Sequence, residues 1–178
     1  MMNNSPTLVQ GEQYVSVTAA VPLELSGRII EWKKSHGISD PRPLSHITAH
    51  IASVVEKPVF QPVFAEPLVK MLPFDVSLGE PASFLPSTPV TFFPVNQGKE
   101  NFLGLRQICS EYWGKSASPF TYVPHLTIAH HLPPALLEDS MRDLSQIPSD
   151  LLSFSVTELG IYFFNGQDWE AAFTVSSS

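Results

Sequence analysis

The chain has 178 residues, 43% of them apolar and only 15% charged, with a formal net charge of 10 − 17 = −7. This length suffices for one domain with its own buried core, and the composition argues against a disordered chain. Long duplex nucleic acid is an unsuitable partner, because such proteins usually carry a basic face, whereas a small phosphorylated ligand or a short RNA end fits the charge.

The sequence shows no feature of a secreted or membrane protein. Its one cysteine, Cys109, excludes an intramolecular disulfide and suits a reducing compartment. The polar N-terminal stretch is no signal peptide, and no apolar run reaches the ~20 residues that span a bilayer. We therefore expect a cytoplasmic monomer with no membrane segment. Residues 1–12 are predicted to be a flexible leader, and 13–178 a single domain.

The first third of the chain predicts a strand, a helix and a second strand. Residues 14–21 have strand propensity and are followed by a proline. Leu23–Lys34 has helical apolar spacing, two lysines near its end, and Gly37 behind it. Leu44–Ser53 is predicted to be a strand. A short helix is predicted at Phe64–Leu72, within a stretch rich in proline.

The remaining elements alternate in the same way and end in a hairpin. Asn165-Gly166, between Phe154–Phe164 and Asp168–Val175, is a strong signal for a tight turn. The other predicted elements are strands at Phe74–Leu78, Val90–Val95 and Tyr122–His130, and helices at Gly98–Trp113 and Pro133–Ile147. A strand, a helix and a histidine-bearing strand occur in residues 14–53 and again in 90–130, which suggests two similar half-units facing each other.

Two tripeptides at matching places in these half-units carry the chemistry. They are His46-Ile47-Thr48 and His125-Leu126-Thr127, each inside an apolar strand. In a strand, residues i and i+2 point to the same face, so each histidine projects beside its threonine. Ile47 and Leu126 are expected to point the other way, into a core.

This combination suits metal-free cleavage of a phosphodiester. The reaction needs a base for the attacking oxygen and an acid for the leaving oxygen. Histidine, with an unperturbed pKa of ~6.5, serves either role near neutral pH. A hydroxyl beside each histidine can stabilise the charge that builds on the non-bridging oxygens. The sequence does not assign which histidine is the acid and which the base.

The pair of motifs resembles the signature of the 2H phosphoesterase superfamily, which includes bacterial 2′-5′ RNA ligase-like proteins and RNA 2′,3′-cyclic phosphodiesterases. The motifs lie 125 − 46 = 79 residues apart, close to the spacing in that family. Pro124 and Tyr122 near the second motif and Trp169 in the closing hairpin agree with it. The resemblance covers about Tyr14 to Val175.

The resemblance implies both fold and activity. The fold would be α+β, with two pseudo-symmetric lobes, each an antiparallel sheet with outer helices, around a central cleft. The protein would be a metal-independent phosphodiesterase without a cofactor, with His46 and His125 as catalytic residues and Thr48 and Thr127 as phosphate-binding residues. Its substrate would be a 2′,3′-cyclic phosphate or a related small phosphodiester, such as a 2′-5′ linkage or a cyclic phosphate of ADP-ribose.

Several neighbouring residues are candidates for substrate contact. Many relatives place an arginine or lysine shortly after the second motif, where this chain has His130 and His131. His50 and His131 each lie an even number of positions after a motif histidine, so each is expected on the same strand face as its motif. There they could add positive charge at the rim of the cleft. Alternatively, each is a partly exposed histidine at the end of a strand. Tyr122 could stack a base. His130 points the other way by parity.

Two other interpretations compete with this one. A catalytic metal would need a ligand pattern, but His46 and His50 are four apart on a strand, and neither His-Glu-x-x-His nor Cys-x-x-Cys is present. The second alternative is a non-catalytic module of the same fold that binds a phosphorylated ligand or an RNA end. Both motifs are intact, which favours the enzyme.

Overall fold

The structure is a computed structural model and describes residues 8–40 and 44–178; residues 1–7 of the predicted leader therefore lie outside the described residues. It confirms the α+β class, with one antiparallel sheet and four α-helices. The strands are β1 (Gln13–Ala20), β2 (His46–Val54), β3 (Phe74–Leu78), β4 (Ala82–Ser83), β5 (Thr91–Gln97), β6 (His125–Ala129), β7 (Ser153–Val156), β8 (Glu158–Phe164) and β9 (Trp169–Ser176). The helices are α1 (Leu23–Ser35), α2 (Pro62–Met71), α3 (Lys99–Trp113) and α4 (Pro134–Leu144), with a 3₁₀ helix at Ser149–Leu152.

The sheet consists of two halves that meet in its middle. Its strand order is β7-β3-β5-β6-β2-β1-β8-β9, with β4 paired to β5, and every pairing is antiparallel. The first predicted half-unit supplies β1 and β2 on one side of the junction, and the second supplies β5 and β6 on the other. The halves join where β2 meets β6, and there Ile47 faces Leu126. We call this junction the seam.

Helices cover the face of the sheet that forms the core. The α3 helix packs on β2, α2 packs on α3 and β9, and α4 packs on β5, while α1 contacts the 3₁₀ helix. Trp32 of α1 donates its indole N–H to Asp143 of α4 at 3.0 Å. Side chains from both halves form one continuous apolar core that includes Ile47, Leu126 and Cys109. The prediction that Ile47 and Leu126 point into a core is confirmed, since both are completely buried.

One predicted strand is wrong. Phe154–Phe164 is not continuous, because the chain leaves one half of the sheet and enters the other at Thr157. Before this point Val156 pairs with Phe74 in β3, and after it Glu158 pairs with Ser176 in β9. The Thr157 carbonyl accepts the backbone N–H of Ser177 at 2.9 Å, which satisfies it at the crossing.

The remaining predicted elements agree to within a few residues at their ends, apart from the strand predicted at Tyr122–His130, which covers only His125–Ala129. The hairpin turn at Asn165-Gly166 is present, with φ of 102° at Gly166 and two backbone N–H groups donating to the Asn165 side chain. No helix among the described residues is long and apolar enough to cross a membrane.

Candidate active site

The two His-x-Thr motifs lie side by side across the seam. Ile47 of β2 faces Leu126 of β6. In an antiparallel pair a step forward on one strand matches a step back on the other. His46 therefore lies opposite Thr127, and Thr48 lies opposite His125. Each histidine thus has a threonine beside it on its own strand and another across from it.

All four motif side chains project from the face opposite to the core. Ile47 and Leu126 between them are fully buried, whereas the histidines and threonines are half-buried. Cβ atoms directly opposite in such a pair are about 5 Å apart, and diagonal ones about 7–8 Å. The histidines are diagonal neighbours, a separation suited to flanking one phosphate. We call this surface the motif face.

The ring of His125 is held in one orientation by its surroundings. Its Nδ1 lies 2.6 Å from the carbonyl oxygen of Val123. A carbonyl only accepts, so Nδ1 carries the proton and Nε2 is the nitrogen left for chemistry. Phe84 and Phe92 stack on each other with centroids 3.9 Å apart, and both make T-shaped contacts with the imidazole, at 5.0 and 5.4 Å.

Phe84 and Phe92, which we call the aromatic wall, favour the neutral form of His125. Burial lowers the pKa of His125 below its ordinary value, and the hydrogen bond to Val123 offsets only part of this decrease. At neutral pH the imidazole is therefore uncharged and can accept a proton at Nε2.

Tyr122 ties the second motif to the first. Its hydroxyl donates to the backbone carbonyl of Thr48 at 2.8 Å. The guanidinium of Arg106, from α3, lies 4.4 Å from the centre of its ring. Burial raises the pKa of Tyr122, so its hydroxyl stays protonated and able to donate.

Beyond the seam, carbonyls of β2 find partners outside the sheet. The Thr48 carbonyl accepts the Tyr122 hydroxyl, and the Ile51 carbonyl accepts the backbone N–H of Ala117 at 2.9 Å. The loop between α3 and β6 thus takes the place of a paired strand along this stretch of β2 and satisfies these polar groups.

The prediction that His50 lies on the same face of β2 as His46 and Thr48 is wrong, because a β-bulge interrupts the strand. Thr18 pairs with Thr48, but Val17 pairs with His50, so Ala49 is the extra residue. The bulge turns His50 to the core face beside Val17. There it is 1% exposed, and its Nε2 lies 3.1 Å from the Gly114 carbonyl. Burial, with a smaller contribution from the nearby Arg106 cation, lowers the pKa of His50 to about 4.

The prediction that His131 lies on the same face as His125 and Thr127 is wrong for a related reason. Thr91 pairs with Ala129 and Phe92 with Thr127, so Ile128 is a bulge residue, and β6 ends at Ala129. His131 is exposed and has a left-handed φ of 54°, outside any strand. Substrate contact by His131 or Tyr122 stays a prediction.

Sequence reasoning does not identify Thr18 or Phe92 as site residues, and it offers Phe84 only as an aromatic ring that could stack a base. Thr18 lies beside Thr48 on the motif face, and the aromatic pair encloses His125. Strand parity on β1 could have placed Thr18 only once the pairing register was known. Phe84 lies in a loop, where no sequence period applies.

The described residues do not bring three or more histidine, cysteine or acidic side chains together as a metal site would require. The motif face instead offers two imidazoles and threonine hydroxyls, a donor and acceptor set suited to proton transfer around an oxyanion.

Comparisons with known proteins identify the family and the fold. The family model described as the 2′-5′ RNA ligase superfamily matches residues 21–168. Two solved structures of E. coli LigT, with 3′-AMP and with ATP, are each 18% identical, with TM-scores of 0.57 and 0.53; each alignment covers 94% of this chain and 99% of LigT. A structure described as a phosphoesterase is 19% identical, with a TM-score of 0.59, over 93% of this chain and 99% of the other. A search of curated proteins gave no match.

The fold and the paired motifs define a protein of the 2H phosphoesterase type. The chain belongs to the 2′-5′ RNA ligase superfamily.

Proposed function

We propose that this chain is a phosphodiesterase that opens a 2′,3′-cyclic phosphate, or cleaves a related small nucleotide or oligonucleotide phosphodiester, by His/His acid–base catalysis. The observation that carries the proposal is the pairing of Ile47 with Leu126, which sets His46 opposite Thr127 and His125 opposite Thr48. A phosphate over this seam has an imidazole on each side and a hydroxyl next to each imidazole.

The proposed roles follow from the surroundings of the two histidines. His125 is the base: Nδ1 is committed to the Val123 carbonyl, the aromatic wall keeps the ring neutral, and Nε2 can take a proton from water. His46 is then the acid. As the water oxygen bonds to phosphorus, one P–O bond of the cyclic phosphate breaks, and His46 protonates the leaving ribose oxygen.

The threonines stabilise charge during this step. The hydroxyls of Thr48 and Thr127 donate hydrogen bonds to the non-bridging phosphate oxygens, on which negative charge increases. The reaction needs no metal in this scheme, since protonated His46 supplies positive charge and the hydroxyls supply donors. Small nucleotides or short RNA ends are the proposed partners, as befits a chain with a net charge of −7.

The test is turnover of 2′,3′-cyclic AMP and of a 2′-5′-linked adenosine dinucleotide, each with EDTA and with Mg²⁺. We expect hydrolysis of at least one, unaffected by EDTA. Loss of activity with EDTA and its rescue by a divalent ion would instead indicate a metal-dependent phosphoesterase.

Variants separate chemistry from folding. His46→Ala and His125→Ala should each lose roughly 10²–10⁴-fold in kcat, with the double variant little worse, because the two groups act as one unit. His36→Ala is the matched control, since His36 is a half-buried histidine at the end of α1, bonded to the Trp32 carbonyl. Wild-type turnover by folded His125→Ala would make the second motif structural.

The competing function is a module that binds a phosphorylated ligand without turning it over. It predicts saturable binding of nucleotides, loss of binding in the motif variants, and no product from any cyclic phosphate or 2′-5′ linkage.

A further inference from the structure

The motif face extends from the seam across the N-terminal half of the sheet. Thr48 pairs with Thr18 of β1, and Thr18 pairs on its other side with Gly160 of β8. Paired residues project to the same face, and residues two apart on a strand do so as well. Tyr162 therefore projects from the same face as Thr48.

The glycine at position 160 makes room for the Tyr162 ring. A Cβ atom built on Gly160 would lie 2.6 Å from Cε2 of Tyr162 and 3.1 Å from its hydroxyl oxygen. The phenol thus occupies the place of the missing side chain, in line with Thr18 and Thr48. Two strand spacings, about 10 Å, separate Gly160 from Thr48.

The ring remains available to a ligand. Tyr162 is 39% exposed, and its hydroxyl has no hydrogen-bond partner among the described residues. A nucleotide whose phosphate lies over the seam can extend its nucleoside along the face toward β8. An exposed aromatic ring at that distance is suited to contact a base.

A structural role is the alternative. An aromatic ring that covers a glycine can stabilise a strand without touching any ligand. The two roles differ in their consequences, since covering Gly160 requires only an apolar side chain, whereas base stacking requires a flat aromatic ring.

We propose that Tyr162 is a nucleobase-stacking residue that binds the base of the nucleotide whose phosphate lies between the two motifs. This inference rests on the proposed function and adds to it the contact that makes binding depend on the base. It requires no turnover, so it can be tested by binding alone.

The experiment measures the affinity of 3′-AMP and of inorganic phosphate by calorimetry for wild type, Tyr162→Leu and Tyr162→Phe. Wild type should bind 3′-AMP more tightly than phosphate. Tyr162→Leu should weaken 3′-AMP binding by roughly 5- to 150-fold, the range of a base–aromatic stack, and leave phosphate binding unchanged. Tyr162→Phe should keep the wild-type affinity for both.

Tyr112→Leu is the matched control. Tyr112 is 38% exposed, almost the same as Tyr162, but lies at the end of α3 with its hydroxyl bonded to Gln61. It should bind both probes like wild type. Equal affinity of Tyr162→Leu and wild type for 3′-AMP would overturn the proposal, and so would equal loss for 3′-AMP and phosphate.

A second measurement covers the case in which Tyr162→Leu does not fold. In wild type, NMR cross-peaks should connect the Tyr162 ring protons to adenine protons of bound 3′-AMP, with Tyr162→Phe used for assignment. Absence of these cross-peaks in the saturated complex contradicts the proposal. Base-dependent binding without hydrolysis of any substrate would defeat the proposed function alone, whereas hydrolysis with base-independent binding would defeat only the role of Tyr162.

Discussion

The hydroxyl of Tyr122 donates to the backbone carbonyl of Thr48 at 2.8 Å, and so joins the segment before the second motif to the strand of the first. This bond crosses the seam from a residue 74 positions away along the chain. The bond fixes the position of Thr48 along β2 relative to His125, the residue that faces Thr48 across the seam.

Tyr122→Phe should therefore impair catalysis more than folding. The variant keeps the ring under Arg106 and removes one hydrogen bond, so the free energy of unfolding should fall by only about 1 kcal/mol. We expect kcat to fall by roughly tenfold, because small misplacements of catalytic groups are costly. Steady-state kinetics and urea unfolding measure the two effects.

Tyr112→Phe provides the comparison for that variant. It also deletes a tyrosine hydroxyl bond, to Gln61 at 2.7 Å, but away from the seam. A similar loss of stability with unchanged kcat is expected. If both variants lose kcat equally, the Tyr122 bond has no special role in the site.

The aromatic wall around His125 should set the acid side of the pH–rate profile. In the proposed mechanism hydrolysis needs neutral His125, so kcat/KM should fall as pH drops through its pKa, which burial holds below the ordinary 6.5. Phe84→Ala lets water reach the ring and raises this pKa, and the acid limb should move to higher pH. NMR titration of the His125 ring gives an independent value.

Phe60→Ala is the control, because Phe60 is exposed and contacts Phe173 away from the motifs. Its acid limb should coincide with that of wild type. An acid limb that stays in place, or moves to lower pH, in Phe84→Ala would show that the wall does not control His125.

The two motif threonines should contribute similarly to turnover. Thr48→Val and Thr127→Val keep the branched shape suited to a strand and remove only the hydroxyl. A hydrogen bond to a charged group is worth roughly 1.5–3 kcal/mol, so each variant should lose about 10- to 150-fold in kcat/KM. Thr157→Val, at an exposed position between β7 and β8, should behave like wild type. A loss confined to one of the two motifs would contradict the symmetric use of the hydroxyls.

His50 should make the fold sensitive to acid. Its pKa is about 4 in the folded state and about 6.5 in the unfolded chain, so between these values the unfolded state binds more protons. The contribution of His50 to the free energy of unfolding is therefore fully present above pH 6.5. It is lost as pH falls toward 4, by at most about 3 kcal/mol. His50→Gln should flatten this slope, measured by urea unfolding at several pH values.

His131→Gln is the matched control for acid sensitivity, since His131 is exposed. It should retain the slope of wild type. A His50→Gln slope as steep as that of wild type would assign the acid sensitivity to other groups.

Local patterns predicted the elements and the two motifs because these depend on neighbouring residues. Ile47 and Leu126 are buried as their place between polar motif residues requires. Strand parity failed at His50 and His131 because bulges at Ala49 and Ile128 each insert one residue. Neither bulge residue is a glycine or a proline, so nothing local marks the change of phase.

Other features depend on the register between strands, which no single segment encodes. The break at Thr157 arises because β7 and β8 pair with different halves of the sheet. The position of Tyr162 on the motif face follows only from the pairing of Gly160 with Thr18. Both are consequences of tertiary pairing rather than of propensity.

The narrow seam also has a mechanical consequence. In the part of the chain that the structure describes, the ladder between β2 and β6 consists of the single facing pair Ile47 and Leu126. The remaining connection comes from helix α3, which packs on β2, from the loop after it, and from the shared core. The distance between His46 and His125 depends on these connections, since the two histidines lie on opposite strands of the seam. Substitutions in the core or in α3, far from either histidine, should therefore change the spacing of the two imidazoles as surely as a change at Ile47 or Leu126.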